Sequence, residues 1–245
     1  MKLILYFTLG YPNTEVLQNF LSLIPEDTVE YIELGFPSAD PKYDGPGIRK
    51  THGVAISQYD SKSLPEIVEL CLRKVSKVYA LRYYSDFESD GSFIPSLKDA
   101  GFSGIIAPDL MTDYFHSRTA IVNSIQGRGL EFIPFINPST PDSVAGEACG
   151  NARSWIYYGL MPSTGIGVPY GLRSIIERIS LLAPSKRVVL GFGIRSSGDL
   201  HGISGAGVYG IAVGTVLIDF LERNDAPGFV SKIEELAGVI RGVGT

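Results

Sequence analysis

Two carboxylates in the segment 31–46 have the types and positions that acid–base chemistry requires. Glu33 ends a short apolar run typical of a buried strand, and Asp44 lies in the Gly/Pro-rich loop that follows, directly before Gly45 and Pro46. Strand ends and the loops after them are where α/β folds place their catalytic groups. A carboxyl on a strand and a carboxyl on a loop can differ in burial, and therefore in pKa and in their roles on one substrate.

The side-chain direction of Glu33 follows from the alternation of a β-strand. Glu33 shares a face with Val29 and Tyr31, and if that face points into a barrel, Glu33 lies at the mouth above an apolar layer. Desolvation there would raise the pKa of Glu33, whereas Asp44 on a polar loop would stay ionised. The structural alternative is that Glu33 pairs with a neighbouring Lys or Arg and that Asp44 or Asp40 caps the next helix. The spacing of the two carboxylates alone leaves this alternative open.

Eight short β-rich segments alternate along the chain with longer amphipathic segments. Strands are predicted at residues 3–8, 30–35, 77–82, 104–107, 131–136, 155–158, 187–191 and 210–213, and helices include 14–23, 64–75, 94–100, 171–182 and 230–240. Eight βα units in 245 residues predict a (β/α)₈ TIM barrel in the α/β class, with a doubly wound sheet as the alternative. Because no linker or shift in composition divides the chain, we expect residues 1–245 to form a single domain.

Glycines after the seventh and eighth predicted strands indicate a phosphate site. Gly191-Phe192-Gly193 follows the seventh strand, and Gly214-Thr215 follows the eighth, directly before a helical segment. Glycine lets the backbone approach an anion closely, and the N–H groups of a first helical turn point at it. In barrels the usual phosphate site is formed by these two loops. Phe192 between two glycines suggests a flat apolar substrate portion beside the phosphate.

Composition and charge exclude several other classes of function. A net charge of -5 without a Lys/Arg cluster argues against a nucleic-acid surface. Cys71 and Cys149 form no CxxC pair, so neither a disulfide scaffold nor a cysteine metal site is expected, and a reducing cytoplasmic location fits. His52, His116 and His201 are scattered, which argues against a metal site. No apolar run approaches the roughly 18 residues that a membrane span needs.

The chain resembles the α subunit of tryptophan synthase. The family's signature around the second strand, Glu-Leu-Gly-x-Pro followed by Asp-Pro-x-x-Asp-Gly-Pro, is present from Glu33 to Pro46. Further matching segments lie at residues 6–12, 157–158 with 164–165, 191–194 and 210–215. The resemblance spans most of the chain, and the block from Glu33 to Pro46 is specific to this family among phosphate-binding barrels.

This resemblance implies a lyase of tryptophan biosynthesis that cleaves indole-3-glycerol phosphate to indole and glyceraldehyde 3-phosphate by a retro-aldol reaction. Glu33 would match the acid–base group that protonates indole C3 and takes the proton from the glycerol hydroxyl. Asp44 would match the carboxylate that stabilises positive charge developing toward the indole nitrogen. The substrate-binding residues it implies are Tyr6 and Phe192 beside the indole, Tyr157 near Glu33, and Gly165, Gly193, Gly214 and Thr215 around the phosphate.

The resemblance also implies a partner, a pyridoxal-phosphate-dependent β subunit that consumes the indole in an α₂β₂ heterotetramer or a transient complex. No cofactor is expected in this chain itself. Ser38-Ala39 and Lys42-Tyr43 replace the usual residues of a loop that meets the β subunit in the family. The loop at 160–167 is about two residues longer than the usual mobile loop and lacks the threonine normally found after Gly-Val.

Two other functions compete with this interpretation. One is another phosphate-binding barrel enzyme, such as a relative of indole-glycerol-phosphate synthase or of the phosphoribosyl isomerases, which usually place a Lys or a Cys/Asp pair at strand ends. The other is a non-catalytic α-like protein that only activates a β subunit. The presence of both Glu33 and Asp44 argues against the second, because binding alone would need neither carboxylate.

Overall fold

Nine β-strands form one sheet in the computed structural model, which describes residues 1–160, 172–191, 203 and 208–242. Seven of the eight predicted segments coincide with one strand each, to within a residue at either end, and the fifth is divided in two. The strands are β1 (Lys2–Thr8), β2 (Tyr31–Gly35), β3 (Lys77–Leu81), β4 (Gly104–Ile106), β5 (Glu131–Ile133), β6 (Phe135–Ile136), β7 (Trp155–Gly159), β8 (Arg187–Gly191) and β9 (Gly210–Val213).

Helices connect these strands on the outside of the sheet. Two short 3₁₀ helices, Ser61–Ser63 and Tyr84–Asp86, accompany them. Within the described residues the α-helices are α1 (Thr14–Ser22), α2 (Pro46–Gln58), α3 (Leu64–Leu72), α4 (Phe93–Asp99), α5 (Leu110–Asp113), α6 (Arg118–Gly127), α7 (Asp142–Asn151), α8 (Leu172–Leu182), α9 (Thr215–Arg223) and α10 (Ala226–Gly242).

The sheet closes on itself through the fifth predicted strand. The strand order is β5-β4-β3-β2-β1-β9-β8-β7-β6, so the two ends of the sheet are consecutive in the chain and are separated only by Pro134. Proline has no N–H to donate and interrupts the ladder, while its carbonyl accepts from the backbone N–H of Tyr157 at 3.0 Å. A continuous strand at 131–136 is therefore wrong. The predicted (β/α)₈ TIM barrel is confirmed, with parallel pairing between neighbouring strands.

Two apolar layers fill the structure, one inside the barrel and one between the barrel and its helices. Tyr31, Tyr79 and Trp155 lie in the inner layer, where the ring centroids of Tyr31 and Tyr79 are 5.4 Å apart and those of Tyr79 and Trp155 are 5.3 Å apart. Val29 packs in the outer layer instead, because it precedes β2 and does not follow the alternation of that strand. The expectation that Val29 faces the barrel interior is wrong, and the expectation that Tyr31 faces it is confirmed.

Strand register places Glu33 inside the barrel, on the same face of the sheet as these aromatic rings. Glu33 is the register partner of Tyr6 on β1 and of Tyr79 on β3, and both tyrosines belong to the inner layer. Register partners on neighbouring strands point to the same face of a sheet. The inner aromatic layer therefore forms the apolar floor beneath the Glu33 carboxyl group.

The described residues include no helix long and apolar enough to cross a membrane and no group of three or more His, Cys, Asp and Glu side chains that could hold a metal ion. Cys71 and Cys149 are both buried and unpaired. The single-domain organisation and the cytoplasmic location stay predictions.

Candidate active site

Glu33 is completely buried at the mouth of the barrel. Neither of its carboxylate oxygens has a hydrogen-bond partner among the described residues, and no cation pairs with it there. Burial raises the pKa of Glu33 well above its usual range, and the nearby charge of Asp44 raises it further. An uncompensated buried carboxylate is strongly disfavoured, so this environment favours the protonated form of Glu33. The alternative of a structural salt bridge is wrong in this part of the chain.

Asp44 is also buried, which corrects the expectation that this group lies on a polar loop and stays ionised. Burial raises the pKa of Asp44 to about 7, although a hydrogen bond from Tyr83 and the charge of Arg49 act in the opposite direction. The hydroxyl of Tyr83 donates to Oδ2 of Asp44 at 2.8 Å. The N-cap of α2 is Gly45, so neither Asp40 nor Asp44 caps that helix.

Arg49 holds the loop that carries Asp44. Its Nε donates to the backbone carbonyls of Asp44 and Pro41 at 3.1 and 3.3 Å, and its Nη2 donates to that of Lys42 at 3.1 Å. Because these bonds go to the backbone, the guanidinium fixes the loop without pairing with the Asp44 carboxylate.

His52 of α2 lies directly beside Asp44. Its Nε2 atom is 3.6 Å from Oδ2 of Asp44 and 3.2 Å from the hydroxyl oxygen of Tyr6, while its Nδ1 accepts from the backbone N–H of Ser38 at 3.0 Å. The ring is fully buried. Burial lowers the pKa of His52 to about 4, so the imidazole is neutral at physiological pH.

Two tyrosines, Tyr6 on β1 and Tyr157 on β7, bring their hydroxyl groups to the same mouth of the barrel. A Cβ atom on Gly35 would lie 2.1 Å from the hydroxyl oxygen of Tyr6, and one on Gly191 would lie 2.1 Å from that of Tyr157. Glycine at the ends of β2 and β8 is therefore what makes room for both rings. Burial raises the pKa of both tyrosines well above the usual range, and the charges of Asp44 and Glu33 add to this effect. The predicted residues Tyr6, Tyr157, Glu33 and Asp44 thus form one cluster.

Gly214 and Thr215 lie at the start of α9, as expected for a phosphate-binding helix. Gly214 is the N-cap of α9 and provides no side-chain cap. A Cβ atom at this position would lie 2.8 Å from Cδ1 of Tyr6, so the helix N-terminus adjoins the tyrosine wall of the site. Unsatisfied N–H groups at a helix N-terminus attract anions.

Other predicted residues lie outside the part of the chain that the structure describes. They are Gly165, Phe192 and Gly193, together with residues 161–167 of the longer loop.

The model of the tryptophan synthase alpha chain family matches residues 1–240. The chain belongs to the tryptophan synthase alpha chain family. Similar relatives include the tryptophan synthase alpha chains of Saccharolobus solfataricus and Sulfurisphaera tokodaii, each 32% identical, with 97% of this chain and 96% and 97% of the relatives covered. The reaction of this family is the lyase cleavage of indole-3-glycerol phosphate.

Solved structures share the fold of this tryptophan synthase alpha chain family member. One is a mutant alpha subunit from Pyrococcus furiosus, and another comes from a study of mutual activation in the α₂β₂ complex of the same organism. Each has a TM-score of 0.83 and 24% sequence identity, and the superposition covers 97% of this chain and 98% of the other.

Two further residues, His52 and Tyr83, lie at the site of this family member but are not among the site residues predicted from the sequence. For His52 a local signal exists, because Ile48, Thr51, His52 and Ala55 are the buried residues of α2 and follow the i, i+3, i+4, i+7 spacing of one helix face. For Tyr83 no local signal exists, since its bond to Asp44 joins two loops that are distant in sequence.

Asp109 supports the loop that carries Tyr83. Asp109 is the N-cap of α5, but its side chain makes no capping bond. Its carboxylate oxygens accept from the backbone N–H groups of Tyr84 and Ser85 at 2.6 and 3.1 Å. The side chain thereby fixes the turn that begins directly after Tyr83.

The pH dependence of stability tests the burial of Glu33. A carboxyl with a raised pKa binds a proton in the folded state that the unfolded state releases above its usual pKa of 4.5. We expect Glu33→Gln to be more stable than the parent at pH 8, by a difference that grows from pH 4.5 upward by at most about 1.4 kcal/mol per pH unit. Urea unfolding at several pH values measures it.

Glu131→Gln is the matched control, with the opposite sign. Partial burial disfavours ionisation of Glu131, but hydrogen bonds from Lys77 and Tyr79 lower its pKa overall. The stabilisation of the folded state by ionised Glu131 is therefore present above the usual pKa of the carboxyl and is lost as the pH falls. Glu131→Gln should consequently be less stable than the parent at pH 8. A Glu33→Gln protein that is also destabilised at pH 8 would show that Glu33 is ionised and paired.

Proposed function

We propose that this chain carries out the reaction of its family, with Glu33 as the acid–base group and Asp44 as the carboxylate that faces the indole nitrogen. The observation that carries the assignment is the unequal environment of the two buried carboxyls. Glu33 has no hydrogen-bond donor among the described residues. Asp44 accepts a hydrogen bond from Tyr83, and the positive charge of Arg49 lowers its pKa. Asp44 therefore ionises first, and its negative charge helps Glu33 to keep its proton.

This proton arrangement matches the chemistry of the cleavage. Protonated Glu33 delivers its proton to indole C3, and the positive charge that spreads to the ring nitrogen is stabilised by ionised Asp44. The Glu33 carboxylate then takes the proton of the glycerol hydroxyl as the carbon–carbon bond breaks. The bond electrons return to the ring, which gives neutral indole and an aldehyde, and Glu33 is protonated again.

The walls of the site suit the two ends of the substrate. Tyr6 and Tyr157 offer large buried rings for the indole, with Phe192 proposed beside them. We assign Gly214 and Thr215, together with Gly165 and Gly193, to the phosphate. The uncapped N-terminus of α9, which adjoins Tyr6, supports this assignment.

The alternative functions are less well supported by the described residues. Their buried polar and charged side chains include no lysine, and Cys71 and Cys149 lie in the outer apolar layer rather than at the barrel mouth. A barrel enzyme that uses a Lys or a Cys/Asp pair is therefore disfavoured. A protein that only activated a partner would gain nothing from a buried, unpartnered carboxyl such as Glu33, which destabilises the folded state above its usual pKa.

A pyridoxal-phosphate-dependent β subunit is the proposed partner, and this chain needs no cofactor of its own for the proton transfers. The loop between β2 and α2 would face that partner. There Lys42 forms an ion pair with Asp113 at 2.5 Å, and the Tyr43 hydroxyl donates to the same carboxylate at 2.8 Å. These contacts tie the loop that carries Asp44 to α5.

The decisive assay measures indole release from indole-3-glycerol phosphate, with the chain alone and with a tryptophan synthase β subunit. We expect weak activity alone and stimulation by the partner of at least about fivefold, the size of a modest coupling free energy. Serum albumin at the same concentration is the control for nonspecific stabilisation. An absence of indole in both mixtures would contradict the lyase function.

Glu33→Gln tests the acid–base role. The amide keeps the size of the carboxylic acid but cannot cycle a proton, so we expect kcat to fall by more than about 100-fold, or roughly 3 kcal/mol in the barrier. Calorimetry should show that the variant still binds the substrate. Glu131→Gln, at the opposite end of the barrel, should retain turnover. Normal turnover in Glu33→Gln would refute the mechanism.

Thr215→Asp tests the phosphate site with less ambiguity than a bulky residue at Gly214, which would also displace Tyr6. A carboxylate at the first turn of α9 interacts favourably with the helix dipole but repels a phosphate. We expect KM to rise at least about tenfold with kcat little changed, whereas the neutral Thr215→Asn should change KM less than about threefold. Equal KM values for the two variants would place the phosphate elsewhere.

A further inference from the structure

The imidazole of His52 has a fixed tautomer that the proton transfers of Glu33 do not use. The backbone N–H of Ser38 can only donate, and it lies 3.0 Å from Nδ1 of His52. Nδ1 must therefore be an unprotonated acceptor, and the single ring proton is on Nε2. If the ring were protonated, its Nδ1–H group would point at the backbone N–H of Ser38, and the two donors would repel each other. This contact, like burial, therefore favours the neutral imidazole.

The Nε2–H group faces two oxygens of the site. The hydroxyl oxygen of Tyr6 is within hydrogen-bond distance at 3.2 Å, and Oδ2 of Asp44 at 3.6 Å is beyond that distance but close enough for an electrostatic contact. Tyr6 also accepts from Oγ1 of Thr8 at 3.3 Å. The Nε2–H group of His52 therefore helps to orient the Tyr6 hydroxyl, whose own proton is directed away from the imidazole.

Oδ2 of Asp44 thus has neutral N–H and O–H groups around it rather than a counter-ion. Tyr83 donates to the same oxygen at 2.8 Å, and among the described residues this is the one hydrogen bond recorded to the carboxylate. Neutral donors favour the ionised carboxylate without cancelling its charge. The titratable and charged groups that face Asp44 or interact electrostatically with it are Glu33, Tyr6, Tyr83, Tyr157, Arg49 and His52.

We propose that His52 is a positioning residue for the cleavage reaction, which holds the Tyr6 hydroxyl and the Oδ2 side of Asp44 so that the other carboxylate oxygen faces the indole nitrogen. This inference rests on the proposed role of Asp44. It gives α2 a function beyond packing, because the helix carries the only described side chain that contacts Ser38, Tyr6 and Asp44 together.

Two substitutions of His52 separate positioning from packing. Leu keeps much of the volume but removes both nitrogens, and Gln keeps one neutral donor and one acceptor at every pH. We expect His52→Leu to lower kcat about tenfold or more with a smaller change in KM, and His52→Gln to restore kcat to within about threefold of the parent. Ser57→Ala, on the exposed face of the same helix, should change neither constant.

The pH profile provides a readout that a purely structural role would not change. Asp44 must be ionised to stabilise the indole cation, and loss of the His52 donor raises its pKa because the ionised form is stabilised less. The acid limb of kcat in His52→Leu should therefore move to higher pH by about half a unit or more, and His52→Gln should return it. An unchanged acid limb with normal kcat in folded His52→Leu would overturn the proposal.

Nitrogen-detected NMR of the parent protein tests the tautomer independently of activity. We expect the His52 ring to give the signals of an Nε2–H tautomer that does not titrate between pH 5 and 8. An Nδ1–H tautomer, or a ring that protonates near pH 6.5, would overturn the proposal even if His52→Leu fails to fold. Failure of the proposed function is distinguishable from failure of the His52 proposal, because in the first case the parent protein itself releases no indole.

Discussion

Burial of the Glu33 carboxyl above an apolar floor is the constraint on which the chemistry of this barrel depends. Tyr31, Tyr79 and Trp155 fill the barrel beneath it, and no described residue offers it a hydrogen bond. Ionising such a group requires charge in a region of low polarity, so the proton stays bound until a substrate provides a better site for it. The same burial that destabilises the folded protein at high pH favours the protonated form of Glu33, which the proposed proton transfer to indole requires.

Glycines at strand ends determine the shape of the space around this carboxyl group. Gly35 and Gly191 leave room for the hydroxyl ends of Tyr6 and Tyr157, and Gly214 both begins α9 and leaves room for the ring of Tyr6. Gly214 therefore links the two proposed subsites, because it lies against the Tyr6 wall of one and begins the helix proposed to bind the phosphate of the other. A side chain at that position would disturb both at once.

The elements of the fold could be predicted from sequence because the strand pattern is local, and only Pro134 divided a predicted strand. The position of Glu33 could also be predicted, since alternation along β2 decides it. The burial of Asp44 could not, because it depends on Tyr83, which is distant in sequence, and on the tertiary packing that brings His52 of α2 beside the carboxylate. His52 was open to prediction from the buried face of α2 but was considered only as a metal ligand.

The difference between the two carboxyls comes from their neighbours rather than from burial, which both share. Asp44 has a hydroxyl donor and a neutral imidazole. In the described part of the chain the one cation that acts on its pKa, Arg49, is engaged by backbone carbonyls. The charge of Asp44 is therefore stabilised but not cancelled, as its proposed role toward a positive indole ring requires. Had a lysine or arginine contacted Oδ2 directly, the carboxylate would be ionised at lower pH, but its field on the substrate would be weaker. Neutral donors let Asp44 ionise before Glu33 and keep its charge available.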